Sequence, residues 1–89
     1  MTYNEILKGV TDCIISCIKE TVDNIPDNFE ITEVSVLSDD LGINSLDKIR
    51  LQVKIEDRFL FSFDPFDDFD QIFETVKSIC DYIFALKAR

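Results

Sequence analysis

The stretch Asp39-Asp40-Leu41-Gly42-Ile43-Asn44-Ser45-Leu46-Asp47 holds the residues best placed to do chemistry. Gly42 lets the backbone turn sharply, in a conformation that costs other residues free energy. Ser45 then opens a segment whose apolar residues recur at helical spacing, which puts its hydroxyl at the positive end of a helix. A phosphate ester formed there would meet unpaired backbone N–H groups and a favourable dipole. Leu46 beside it offers an apolar contact to a partner or to whatever the hydroxyl carries. A serine at such a place, taken alone, most often only caps the helix.

Other reactive groups are sparse. The chain has no histidine, which removes the commonest general base and the commonest metal ligand. Cys13 and Cys17 lie one helical turn apart, so a two-thiolate half-site is geometrically conceivable. Buried small hydrophobes are the better reading. With Cys80 they make an odd count of three, unlike a disulfide framework, and the expected compartment is reducing cytoplasm. Asp64, Asp67, Asp68 and Asp70 invite comparison with a calcium loop, but the central glycine and terminal glutamate are missing. No base, metal site or cofactor fingerprint points to an enzyme. An 89-residue chain also has little material to wall off a catalytic cavity.

Charge narrows the partners. The formal net charge is −9, from 18 acidic and 9 basic residues. Nucleic acid and anionic membrane surfaces would repel such a chain, whereas a partner with a basic face would be steered to it. No apolar run approaches the length of a membrane span, and no signal-peptide core is apparent.

These residues must be positioned by helices. Thr2 and Glu5 have capping-box spacing, and Leu7, Val10, Ile14, Cys17/Ile18 and Val22 form one apolar stripe that ends before Pro26. Residues 23–44 lack a sustained helical period. The partial alternation of Phe29, Ile31, Val34 and Val36 allows a short strand, but the segment reads better as a long loop pinned by Ile31, Leu37 and Leu41. From Ser45, one row runs Leu51, Ile55, Phe59 and another Leu46, Ile49, Val53, Leu60. Two rows exceed what one core-facing stripe requires, so either the helix is sandwiched or part of a row meets a partner. Six of the eight phenylalanines fall in residues 59–73, most of them expected in the core. Asp64-Pro65 reads as the start of a short third helix, and Thr75 caps a last one with Val76, Ile79/Cys80 and Ile83 on one face. The expected fold is one all-α domain over 1–89, a four-helix bundle with helices about 3–22, 45–59, 65–72 and 75–87.

Leu41-Gly42-x-x-Ser45-Leu46 resembles the phosphopantetheine attachment motif of acyl and peptidyl carrier proteins. The likeness extends to Ile31-Thr32 and Leu37 before the motif, and to Leu51, Ile55 and Phe59 after it. It continues through Phe73-Glu74-Thr75-Val76 and Asp81-Tyr82-Ile83. The resemblance implies an acyl-carrier-type bundle that is not itself an enzyme. Ser45 would bear a covalent 4′-phosphopantetheine, with Gly42, Asn44 and Leu46 as the flanking motif. A phosphopantetheinyl transferase would load it, and acyl-loading and acyl-transferring synthases would exchange cargo as thioesters in fatty-acid, polyketide or other specialised biosynthesis. Leu46, Asp47, Ile49, Arg50, Val53 and Lys54 are the expected docking residues of a cytoplasmic monomer, and a cleft between helix two and the Phe-rich segment is a possible cargo pocket. An aminoacyl or peptidyl carrier, and a helical interaction module without prosthetic group, are the alternatives.

Two departures stand out. The family usually has Asp before the serine, where this chain has Asn44; capping is kept and a charge is lost. Residues 46–59 hold Lys48, Arg50, Lys54 and Arg58 against Asp47, Glu56 and Asp57, a net +1, while the rest of the chain, with 5 basic and 15 acidic residues, is at −10. The usual acidic docking helix is thus neutralised, which points to a dedicated pathway.

Overall fold

A computed structural model describes residues 2–21 and 30–87. Among them the elements run α1 (Tyr3–Thr21), α2 (Ser45–Phe59), α3 (Phe69–Ile72) and α4 (Val76–Lys87). The only strand-like pairing among the described residues is an isolated antiparallel bridge between Val36 and Thr75.

Helix α1 starts where the capping box sets it. Glu5 N–H donates to Thr2 Oγ1 at 3.2 Å, and Glu5 Oε1 accepts from Thr2 N–H at 3.2 Å. The buried face carries Ile6, Val10, Cys13, Ile14, Cys17 and Ile18. Leu7, expected in that stripe, is only partly buried, and Ile6 takes the core position one residue earlier. Val22 lies outside the described residues. Gly9 allows a close crossing: a Cβ there would stand 2.5 Å from Phe59 Cζ, and Phe59 is buried with little room to yield.

Helix α1 is the shared neighbour of α2 and α4, and α3 packs on α4. The core between them holds Leu51, Ile55 and Phe59 of α2, with Val76, Ile79, Cys80 and Ile83 of α4. The loop after residue 30 closes over it through Leu37, Leu41 and Ile43, all buried, with Ile31 packed partly against them. Its backbone is tied to α4, since Leu37 N–H donates to Glu74 O at 3.0 Å and Val76 N–H to Ser35 O at 3.2 Å. Burying side chains of this size stabilises by about 1.5–3 kcal/mol each, the term that offsets the entropy of ordering a long loop.

The third helix is shorter than expected from the sequence. It spans Phe69–Ile72, not 65–72, and its N-cap is Asp68, whose side chain accepts from Gln71 N–H. Asp64 caps a turn instead: Phe66 N–H donates to Asp64 Oδ1 at 2.9 Å, and Asp67 N–H to Asp64 O at 3.1 Å. Tyr82 of α4 holds that turn against the bundle, its hydroxyl donating to Asp67 Oδ2 at 2.7 Å. This tertiary bond favours the turn over a helical start at Pro65. Thr75 does cap α4, its Oγ1 accepting from Ser78 N–H at 3.0 Å.

Candidate functional site

The backbone reaches the start of α2 through a fixed turn. Val36 N–H donates to Asp40 Oδ2 at 2.7 Å, while Asp40 and Leu41 N–H both donate to Val36 O. Gly42 then takes φ +67°, a left-handed conformation that L side chains adopt at a cost of roughly 1–2 kcal/mol. A Cβ on Gly42 would meet nothing within 4 Å, so the demand for glycine is conformational and not steric. Leu41 and Ile43, buried on either side, anchor the turn, and Ile43 N–H donates to Leu37 O at 2.8 Å.

Asn44 is the N-cap of α2. Its backbone is extended, and its Oδ1 accepts from Asp47 N–H at 2.8 Å. Ser45 is therefore the first helical residue and not the cap, and its hydroxyl is left free for other work. It is exposed, and no described residue hydrogen-bonds it. The amides of Ser45 and Leu46, the first two of the helix, likewise donate to no described residue. Unpaired donors of this kind, at the positive end of a 15-residue helix, suit an anionic group.

The second apolar row of α2 points away from the core. Leu46, Ile49 and Val53 are 67%, 53% and 53% exposed, while Leu51, Ile55 and Phe59 on the opposite side are buried. The helix is thus not sandwiched, and its outer row is open to a partner. The charged docking candidates differ among themselves. Asp47 has a side chain only 13% exposed and lies 3.7 Å from Arg50 Nη1. Arg50 and Lys54 both reach back to Glu20 of α1, Lys54 Nζ at 2.6 Å from Oε1. Arg58 pairs with Asp12 of α1 at 3.5 Å. Three of the four cations that neutralise α2, Arg50, Lys54 and Arg58, pair with acidic residues of α1. Two lysine and arginine bonds hold the Glu20 carboxyl below the usual carboxylate range, the Lys54 hydrogen bond most of all. Sequence spacing gave no hint of these pairs, because Glu20 lies 30 and 34 residues away.

The cysteines stand apart from this chemistry. All three are free and buried. Cys17 Sγ donates weakly to Asp47 O at 3.6 Å. Burial pushes all three thiols up, Cys80 to about 12, which leaves them unreactive at neutral pH.

The bundle thus presents an exposed hydroxyl at the start of α2, beside an exposed apolar helix face. The family model described as "Phosphopantetheine attachment site" matches residues 14–83. The chain belongs to that family. Its members hold 4′-phosphopantetheine covalently, typically on a serine, so this is a phosphopantetheine carrier that works with synthase and transferase enzymes. No individual curated protein matches the chain. The match stands against an interaction module without prosthetic group. The residues at the tip of α2 fit the group: an exposed hydroxyl, two unpaired amides beside it, and open space around Gly42. No helix among the described residues is long and apolar enough to cross a membrane.

Proposed function

We propose that this chain is an acyl carrier protein whose Ser45 bears the phosphopantetheine, serving fatty-acid, polyketide or other specialised biosynthesis as a cytoplasmic monomer without catalytic activity of its own. The observation that carries the assignment to Ser45 is the division of labour at the start of α2, where Asn44 supplies the cap and the neighbouring hydroxyl is left unengaged. When bound, the group supplies a thiol on a long tether that carries cargo as a thioester. The chain's own residues orient the attachment point: Gly42 sets the turn, Asn44 starts the helix, and Ser45 and Leu46 offer N–H groups to the phosphate. Leu46, Ile49 and Val53 form the docking row, rimmed by Asp47, Arg50 and Lys54. Because Arg50 and Lys54 are already paired with Glu20, the row meets partners chiefly through apolar contact. That supports a dedicated set of synthases over one that relies on a strongly acidic second helix.

The test is an intact-mass measurement after incubation with coenzyme A and a broad-specificity phosphopantetheinyl transferase. One phosphopantetheine is expected on the native chain and none on Ser45→Ala. An undiminished gain in Ser45→Ala would overturn the assignment.

A further inference from the structure

Helices α2 and α4 meet mainly through what lies between them, since α1 is the helix that packs on both. Phe63, in the loop that follows α2, belongs to the core cluster and packs against Tyr82 of α4. Its ring centroid lies 4.8 Å from Phe61, 5.3 Å from Phe73 and 5.2 Å from Tyr82, and Phe73 stacks in turn on Phe69 at 4.6 Å. Phe63 and Phe73 are buried. The backbone that carries Phe63 is fastened to both helices. Phe63 N–H donates to Glu56 Oε2 of α2 at 2.8 Å, and the next amide, Asp64 N–H, donates to the Tyr82 hydroxyl of α4 at 3.3 Å.

Two surface grooves flank this plug. One, of about 200 Å³, runs past Gln52, Phe69 and Ile72 on the α2–α3 side. The other, of about 670 Å³, runs past Tyr82, Ala85 and Leu86 on the α4 side. Phe63, Asp64, Pro65 and Asp67 line both, so this segment is their common wall. Gln52 stands seven residues beyond Ser45 on the same side of α2, about 10 Å along the axis, well within the span of a tethered group. A chain swinging back from Ser45 thus arrives at the smaller groove, where Phe63 is part of the lining.

We infer that Phe63 closes the interior of this bundle to cargo, so that the acyl group is carried outside and belongs to the short or polar class. An apolar chain entering from these grooves would have to break three ring contacts and the two hydrogen bonds that hold the plug, and a rigid ring offers no smaller rotamer to make room. Cargo left outside must tolerate water, which a long alkyl chain does not. This inference rests on the carrier reading above.

The experiment uses the full chain loaded at Ser45 with acetyl- and octanoyl-phosphopantetheine from the corresponding coenzyme A derivatives, with loading checked by intact mass. Failure to load is a failure of the carrier reading and is seen in the mass spectrum before any other measurement. In the loaded native chain, the acetyl and octanoyl forms are expected to share one melting temperature and the same methyl resonances for Ile55 and Ile79. In Phe63→Ala, or Phe63→Leu should the alanine variant not fold, the octanoyl form is expected to melt above the acetyl form by roughly 4–8 °C, as a filled cavity would give. Chain-length-dependent stabilisation or shifted core methyls in the native chain would overturn the inference. Variants as indifferent to chain length as the native protein would remove Phe63 as the closing residue.

Discussion

Removing the Asn44 cap tests the local logic of the site. In Asn44→Ala the Asp47 N–H loses its 2.8 Å acceptor. Cap deletions cost about 0.5–2 kcal/mol, and this bond lies at the surface where water replaces it, which places the loss near 1 kcal/mol. For a domain of this size that lowers the melting temperature by roughly 4–8 °C. Asn44→Asp keeps the acceptor and adds a negative charge at the positive end of α2, a gain of about 0.3–1 kcal/mol. Asp39, Asp40 and Asp47, close in sequence, offset part of it, so the aspartate variant should be at least as stable as the native chain. It also restores the charge that the family resemblance leads one to expect before the serine, so transferase should modify it faster than the native protein. Circular dichroism melts and initial rates of mass gain read both effects. An Asn44→Ala protein that melts like the native one, or an Asn44→Asp protein that is no faster to modify, would refute the reasoning at its respective step.

Three further outcomes follow from the same packing and charges. Glu20→Gln should loosen α2 from α1 at neutral pH. Because the native Glu20 carboxyl titrates below its ordinary value, its contribution is present above the unfolded carboxylate range and disappears as pH falls through the lowered folded value; denaturant melts across that range should show the native and variant curves converging, and a constant gap would count against the clamp. Phe73→Ala should cost about 3–5 kcal/mol in urea titrations, whereas Phe66→Ala, at a position 96% exposed, should stay within about 0.5 kcal/mol; comparable losses would contradict the core as described. Cys13, Cys17 and Cys80 should resist iodoacetamide in the native state at neutral pH and react fully in denaturant, and rapid native labelling of any of them would show that its burial is wrong.

Much of this was legible in the sequence where local rules and tertiary packing agree. The bounds of α2, Ser45 to Phe59, follow from Gly42 and Asn44 at one end and from the apolar period that runs out at Leu60. Leu60 closes the helix in a left-handed conformation, φ 56°, that usually takes glycine, so the stop carried no glycine signal. The third helix misled because Asp64-Pro65 satisfies the cap rule as well as Asp68 does, and only the reach of Tyr82 from α4 decides between them. Ile43 and Ser35 in the long loop were missed as buried positions, since a loop has no period from which burial can be inferred; Ser35 Oγ accepts from Thr32 N–H at 3.0 Å. Leu46, Ile49 and Val53 were seen to be surplus to one core face, and their exposure follows. The role of Arg50 and Lys54 was not visible, because a charge on one helix does not announce which helix will hold its partner.

On the proposed function, the hydroxyl at the tip of α2 carries the prosthetic group. Peptide mapping by tandem mass spectrometry of the transferase-treated protein tests it most directly. The fragment spectrum should place the phosphopantetheine on Ser45 alone. A modification found on Ser38, Ser16 or any other side chain, with Ser45 bare, would contradict the account.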